Sequence, residues 1–162
     1  MIGGALGGAA ALLVAAGALK LLDPTRTVGA LAALGWPSAP WLVRTGAAVE
    51  LGLGAATLVV GGPALPMLVA ASYLGFALFV MAALRAETPI GTCGCFGQLD
   101  TPPRPAHVVV DGILAIVAVL AAATDAPALV DASWLGWLTA VAGALAGWGL
   151  FRSARAQSVI RG

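Results

Sequence analysis

Long apolar stretches, separated by short polar or Pro- and Gly-rich segments, constrain this chain more than any other feature. A helix needs about 20 apolar residues to cross roughly 30 Å of hydrocarbon. Four stretches reach or approach that length, at residues 2–22, 41–60, 64–84 and 134–151. A fifth, at residues 107–123, is shorter and carries Asp111 near its start. The sequence therefore predicts an all-α, polytopic membrane bundle of about five transmembrane helices.

Composition supports lipid as the solvent of this chain. Of its 162 residues, 60% are hydrophobic and only 9% are charged, and the mean hydropathy is +1.00. An ordinary soluble domain carries about 25% charged residues. The net charge of +1 and the absence of a run of Lys or Arg argue against nucleic acid as a partner, because binding phosphates requires a basic surface. The first apolar stretch follows no positively charged segment, so we interpret it as a retained helix rather than a cleaved signal peptide.

The short connections predict how the helices are arranged. The segment GGPALP at residues 61–66 leaves room only for a tight turn, which makes the second and third spans an antiparallel hairpin. The apolar stretch at residues 28–35 is too short to cross, and we expect a short interfacial helix there. Glycine pairs spaced four residues apart could pack helices closely, either within the bundle or against a second subunit of an oligomer or complex.

Basic residues predict the orientation in the cell (plasma or inner) membrane. Positive charges near membrane ends are retained in the cytoplasm. With five spans, all eight basic residues fall on one side: Lys20, Arg26, Arg44, Arg85, Arg104, Arg152, Arg155 and Arg161. The N-terminus should therefore lie outside, and the C-terminus and the loop between the third and fourth spans should be cytoplasmic.

That loop holds both cysteines of the protein, in the motif GTCGCFG at residues 91–97. A disulfide between Cys93 and Cys95 would close a small strained ring, and a strained disulfide is easily reduced. The glycine between them provides the backbone freedom that such a ring requires. The pattern favours a redox-active pair over a structural disulfide. The alternative is a structural corner in which two thiols happen to be neighbours in a glycine turn.

Metal binding is a competing interpretation of the same two cysteines. Two adjacent thiolates suit soft ions such as Cu(I). A closed zinc site needs four ligands, and beyond the cysteines the chain offers only His107 and scattered carboxylates, so we expect no zinc site. A soft-metal carrier would be expected to have more Cys or Met along its spans than Met67 and Met81.

Three features together resemble a known family. They are CGCFG after a third span, a Gly-Ala-Leu-Lys pattern that ends the first span at Lys20, and the glutamate Glu50 within VELGLG in the second. This combination resembles the MauE family of methylamine-utilisation membrane proteins and the broader DoxX-like redox-associated membrane proteins. The resemblance covers roughly residues 1–125, which would form a four-helix domain that includes the cysteine loop. Residues 126–162 would then add a C-terminal helix and a short basic cytoplasmic tail.

The resemblance implies a role in thiol/disulfide handling. One such role is support for the maturation of a disulfide-rich exported partner, such as the small subunit of methylamine dehydrogenase, alongside a thioredoxin-like protein. Residue by residue, Cys93 and Cys95 match the cysteines of the family, and Lys20 and Glu50 match its intramembrane polar positions.

Glu50 lies about halfway along its span, where an ionised carboxylate normally faces the bundle interior with a partner. Lys20 or Arg44 could neutralise it. Three small residues share its helical face and leave a groove for a neighbouring helix: Gly46, Gly54 and Thr57. A structural ion pair that fixes helix register and a proton relay are both consistent with this pattern.

His107 and Asp111 are four residues apart at the start of the fourth span, so they share a helical face near the cysteine loop. His107 could act as a base for a thiol, with Asp111 fixing its tautomer. The competing interpretation is helix capping and interfacial solvation. Tyr73, near the middle of the third span, is interpreted as a packing residue.

The leading hypothesis is a membrane thiol-disulfide oxidoreductase in which Cys93 and Cys95 cycle between dithiol and disulfide. A cytoplasmic position is unusual for this chemistry, because disulfides there are transient. Such a protein needs an electron acceptor, and a quinone would serve, although no sequence feature identifies a quinone pocket. Two alternatives stay open: a soft-metal binding or transport protein, and a noncatalytic assembly subunit.

Overall fold

The computed structural model describes residues 2–60, 62–86 and 102–124, together with residue 141. In this part of the chain the backbone forms helices and no strand, which confirms the all-α prediction. Five helices follow in order: α1 (Ile2–Leu22), α2 (Thr25–Ala33), α3 (Pro40–Val59), α4 (Ala64–Arg85) and α5 (Pro105–Ala123).

Four of these helices, α1, α3, α4 and α5, are long and apolar enough to cross a membrane. Their bounds agree with the predicted spans to within two residues at either end. Proline at the first turn begins both α3 and α5, where its missing N–H would have no helical partner in any case. The predicted fifth span, at residues 134–151, lies outside the described residues.

The short helix α2 begins three residues earlier than the sequence predicted, at Thr25 instead of 28. The cause lies in Asp23, whose carboxylate accepts hydrogen bonds from the Thr25 backbone N–H at 3.0 Å and from the Thr25 hydroxyl at 2.5 Å. The helix ends before Gly35, which has φ +69°, a conformation that glycine adopts without strain.

Helix α1 is the central element of the bundle. In its membrane-spanning window 56% of the residues are buried, compared with 22% for α3 and 33% for α4 and α5. The core joins α1 to the first half of α4 and the second half of α5, through residues that include Leu13, Val69 and Ala118. Large apolar side chains on the outer helices are exposed, as a lipid-facing surface requires: among them Leu68, Leu74, Leu78, Val109, Ile113 and Ile116.

Helices α1 and α3 run antiparallel at very short range, and two glycines make this approach possible. A Cβ atom on Gly17 would lie 2.6 Å from the carbonyl oxygen of Ala47, and one on Gly54 would lie 2.6 Å from that of Ala10. Both distances are shorter than any real Cβ contact with backbone. Backbone therefore packs directly on backbone, as small residues permit in membranes.

The directions of the four long helices determine which helix ends lie at the same end of the bundle. Helix α3 is antiparallel to α1. The core joins the first part of α1 to the first half of α4 and to the second half of α5, so α4 runs parallel to α1 and α5 runs antiparallel to it. The ends of α1 and α4 and the starts of α3 and α5 therefore lie at the same end of the bundle. We call this the basic end, because it carries all the Lys and Arg residues of the described part of the chain: Lys20, Arg26, Arg44, Arg85 and Arg104.

We predict that Gly17→Ala and Gly54→Ala each destabilise the protein by about 1–3 kcal/mol, because the added methyl group meets backbone that cannot move without separating α1 from α3. Unfolding in detergent, followed by circular dichroism, measures the effect. Gly52→Ala is the matched control, since nothing lies within 4 Å of a Cβ at Gly52. Equal stability of all three variants would contradict this account of the α1–α3 contact.

Candidate functional site

Polar side chains are rare inside this apolar bundle, and those that are buried lie in a few places. Lys20 is only 4% exposed, although it lies in the last turn of α1. The other buried polar residues among those described are Thr57, His107 and Asp111. The side chain of Glu50 is 17% exposed. An ionised group in such surroundings is costly unless it has a partner.

Lys20 and Glu50 form an ion pair between α1 and α3. The distance from Lys20 Nζ to Glu50 Oε2 is 2.5 Å. The prediction that Glu50 faces the interior and approaches Lys20 or Arg44 is confirmed for Lys20. Arg44 lies exposed on the surface of α3.

The aromatic ring of Phe76 completes the surroundings of Lys20. Lys20 Nζ lies 4.8 Å from the centroid of this ring, within the range of a cation–π contact. Phe76 comes from α4, so the ammonium group contacts side chains of two neighbouring helices. Gly17, one turn earlier in α1, brings the α3 backbone close enough for the lysine to reach the carboxylate.

A cavity of about 250 Å³ lies beside this ion pair, between α1, α2, α3 and α4. We call it the Lys20–Glu50 cavity. Apart from the ion pair and Thr27, its walls are apolar, and they are formed by Leu31, Leu42, Val43, Gly46, Ala47, Phe76 and Phe79. The ring of Trp36 packs edge-on against Phe79, with 5.8 Å between ring centroids, and supports this wall from outside.

The cavity owes part of its space to Gly46. Nothing lies within 4 Å of a Cβ built at this residue. The predicted groove on the Glu50 face of α3 therefore has two parts. At Gly54 it is filled by the backbone of α1, and at Gly46 it stays open and forms a wall of the cavity. Thr57 is buried and donates its hydroxyl hydrogen to the carbonyl of Leu53 at 2.8 Å.

Tyr73 ties α4 to α1. Its side chain is buried, and its hydroxyl donates a hydrogen bond of 2.7 Å to the carbonyl oxygen of Ala9. Its ring packs edge-on against Phe76 at 5.8 Å between centroids. Tyr73 also lies within electrostatic range of Asp111 and Glu50. Its packing role agrees with the sequence interpretation, and its contact with Phe76 links it to the wall of the cavity.

His107 lies at the start of α5, where it takes part in the helix cap. Its Nδ1 accepts a hydrogen bond from the backbone N–H of Arg104 at 3.3 Å, and its backbone N–H donates to the carbonyl of Arg104 at 3.0 Å. With Nδ1 as the acceptor, the neutral ring carries its proton on Nε2. Asp111, one turn later, is buried at the same end of the bundle.

The sequence-predicted residues thus fall into separate groups. The structure brings Lys20 and Glu50 together, places His107 and Asp111 on one stretch of α5, and leaves Arg44 on the surface. Cys93 and Cys95 lie outside the described residues. In residues 2–60, 62–86 and 102–124, no three His, Cys, Asp or Glu side chains lie close enough together to hold a metal ion.

Sequence reasoning missed the aromatic wall of the cavity. Phe76 and Phe79 are three residues apart, and Phe76 is three residues after Tyr73, so the three aromatic side chains lie along one side of the helix. That spacing was available in the sequence. It could not reveal that the face turns toward Lys20, because this depends on how α4 packs beside α1.

Comparison with known proteins adds one match. The family model described as "Methylamine utilisation protein MauE" matches residues 3–124. The matched region spans α1 to α5 and contains Lys20, Glu50, both cysteines and His107. Neither the curated proteins nor the solved structures contain a match to the chain.

We predict that Glu50→Leu destabilises the bundle by about 3–5 kcal/mol, because it leaves the Lys20 ammonium buried without its counter-charge. Glu50→Gln should cost less, since the amide oxygen still accepts a hydrogen bond from Lys20. Thermal unfolding in detergent compares the two. Arg44→Gln removes a charge from the same helix at an exposed position, and should change stability by no more than about 0.5 kcal/mol. If Glu50→Leu changes stability no more than Arg44→Gln does, the ion pair does not stabilise the bundle.

Proposed function

The chain belongs to the MauE family of membrane proteins, and from this premise we propose that it is a membrane thiol/disulfide redox protein whose reactive groups are Cys93 and Cys95. The observation that carries the proposal is the motif CGCFG, which contains the only two cysteines of the chain and lies within the region matched by the family. A one-residue spacer favours a labile disulfide, which suits exchange better than structural support.

The position of the motif along the chain supports exchange with a partner protein. It lies in the segment that connects the end of α4 to the start of α5, and both of these helix ends are at the basic end of the bundle. A thioredoxin-like or other thiol protein would approach the chain from this end in the proposed exchange. Arg85 and Arg104 flank the segment, and nearby positive charge favours the thiolate form that attacks.

The reaction is a reversible exchange of two electrons and two protons. One cysteine thiolate attacks a sulfur of the partner's disulfide, which forms a mixed disulfide and releases the partner's other sulfur as a thiolate. The second cysteine then attacks the mixed disulfide. The products are a Cys93–Cys95 disulfide and a reduced partner, and the reverse sequence oxidises the partner.

His107 is the residue best suited to stabilise a thiolate. It is held at the start of α5 by its bond from the Arg104 backbone N–H, so Nε2–H is the ring group that would donate a hydrogen bond to a thiolate sulfur. Asp111 lies one turn away on the same helix and would bias the charge of the ring. In this proposal Lys20 and Glu50 form a separate polar site inside the membrane.

We further propose that the N-terminus lies outside and that the basic end is cytoplasmic. The five described Lys and Arg residues lie at one end, which supports this orientation through the retention of positive charge in the cytoplasm. Methylamine utilisation, the process in the family's description, is the metabolic setting that we propose for the exchange.

We predict that Cys93→Ser and Cys95→Ser each abolish exchange while membrane insertion is unchanged, because each removes one of the two sulfurs that the reaction needs. A single variant should also trap a mixed disulfide with its partner. Thiol trapping in native membranes followed by mass spectrometry detects both effects. Thr92→Ser, which alters the same motif without removing sulfur, is the matched control and should leave exchange intact. Activity that persists in the double Cys variant would favour the structural corner.

We predict that a reporter fused to the C-terminus is active in the cytoplasm, because a predicted fifth span returns the chain to the basic side. Fusions of an enzyme active only in the cytoplasm and of one active only outside measure this directly. A fusion after residue 62, in the turn between α3 and α4, is the control for the opposite side. A C-terminal reporter that is active only outside would refute the five-span topology.

A further inference from the structure

We propose that the Lys20–Glu50 cavity binds the head group of a lipid-soluble quinone. The binding site is inferred from the cavity itself. The role of the bound quinone as the electron acceptor for Cys93 and Cys95 rests on the proposed function, and the two parts are tested separately below.

The size of the cavity fits a single substituted ring. A water molecule occupies about 30 Å³ of liquid, so 250 Å³ has room for at least about eight water-sized groups. A six-membered ring with two oxygen atoms has the same number of non-hydrogen atoms. Pockets for drug-sized ligands usually have roughly 300–1,000 Å³, so this smaller cavity suits a head group rather than a larger molecule.

The walls of the cavity select an apolar, flat molecule. Phe76 and Phe79 present aromatic rings, and Leu31, Leu42 and Val43 provide aliphatic surface. Aromatic side chains pack favourably against a flat ring in offset or edge-on arrangements. The two charges in the cavity cancel, because Lys20 is paired with Glu50. The site therefore has no net charge with which to attract an anion or a cation, and an uncharged ligand fits it best.

The ion pair provides the polar contacts that a quinone requires. An ammonium group has three N–H donors, and the contacts of Lys20 in the described residues are the Glu50 carboxylate and the face of Phe76. A quinone carbonyl can accept a hydrogen bond from Lys20. The hydroxyl of the reduced form can donate to the Glu50 carboxylate, whose two oxygens have more acceptor positions than the contact with Lys20 uses. A lipid acyl chain could fill the apolar part of the cavity but would use neither group.

The cavity also lies in the right part of the bundle for this role. It is formed by the last turn of α1, the first half of α3 and the second half of α4, toward the basic end. The segment that contains both cysteines starts from the end of α4, six residues beyond Phe79 at Arg85. In the proposed step the dithiol loses two electrons and two protons and becomes the Cys93–Cys95 disulfide, and the quinone gains them and becomes the hydroquinone.

The binding test uses the purified full chain in phospholipid nanodiscs and a short-tailed benzoquinone. Bound quinone should quench tryptophan fluorescence, because Trp36 packs against the cavity wall at Phe79. Gly46→Leu extends a side chain into the cavity from a position where an added Cβ has nothing within 4 Å, so the backbone of α3 need not move and the bundle should still fold. We expect it to weaken binding at least tenfold. Gly52→Leu, on the same helix and outside the cavity, should bind within twofold of the unaltered protein.

Three results of the comparison between these proteins would overturn the binding proposal. They are the absence of saturable quenching in the unaltered protein, equal affinity of Gly46→Leu and the unaltered protein, and equal weakening by Gly46→Leu and Gly52→Leu. Quenching that follows only the lipid content of the nanodisc would show partitioning into the bilayer, and this would also overturn it. The Cys93→Ser, Cys95→Ser double variant should bind as well as the unaltered protein, so a failure of thiol chemistry does not affect this test.

The electron-acceptor role is tested by mixing reduced protein with the same quinone without oxygen. Bleaching of quinone absorbance should accompany disulfide formation, should be slowed by Gly46→Leu and should be absent in the double Cys variant. If the unaltered protein binds quinone but bleaches none, the acceptor role is wrong. The proposed thiol function would then still be judged by its own trapping experiment.

Discussion

A buried ion pair between two closely packed helices is the interaction on which the rest of this structure depends. An acidic residue at the middle of a transmembrane helix costs about 2.5–3.5 kcal/mol on insertion scales when it has no partner. Glu50 avoids this cost through Lys20, which reaches it from the neighbouring helix. The pair forms only if α1 and α3 approach closely, and Gly17 and Gly54 make that approach possible. Charge pairing and glycine packing therefore depend on each other.

The same arrangement explains why a cavity with a polar base exists in an apolar bundle. Backbone contact at Gly17 and Gly54 holds α1 against α3, whereas Gly46, toward the start of α3, has no helix packed against it. Helix α2 and the aromatic residues of α4 surround the space that remains. The cavity is thus a consequence of where close packing stops along α3. Its chemistry follows from the ion pair next to it.

Much of the fold could be predicted from the sequence, because the length of an apolar stretch determines whether it crosses a bilayer. The bounds of α1, α3, α4 and α5 and the interior position of Glu50 follow from this and from the cost of lipid-exposed charge. The choice of Lys20 over Arg44 could also have been made. Arg44 lies six residues before Glu50 on one helix, and residues share a helical face at spacings of three or four. Helix capping was one of the two interpretations of His107 from the sequence, and the structure confirms it. The cavity depends on tertiary packing, which periodicity does not report. The redox role of Cys93 and Cys95 stays a prediction.

The central claim, that Lys20 and Glu50 stabilise the bundle as a pair, is tested most directly by a double-mutant cycle. Unfolding free energies in the same detergent would be measured for the unaltered protein, Lys20→Met, Glu50→Leu and the double variant. Residues in direct contact show coupling energies of about 0.5–3 kcal/mol. Our account predicts a coupling in the upper half of that range, with the double variant more stable than the sum of the single effects implies. Additive effects would show that the two side chains do not stabilise each other, and would contradict the account.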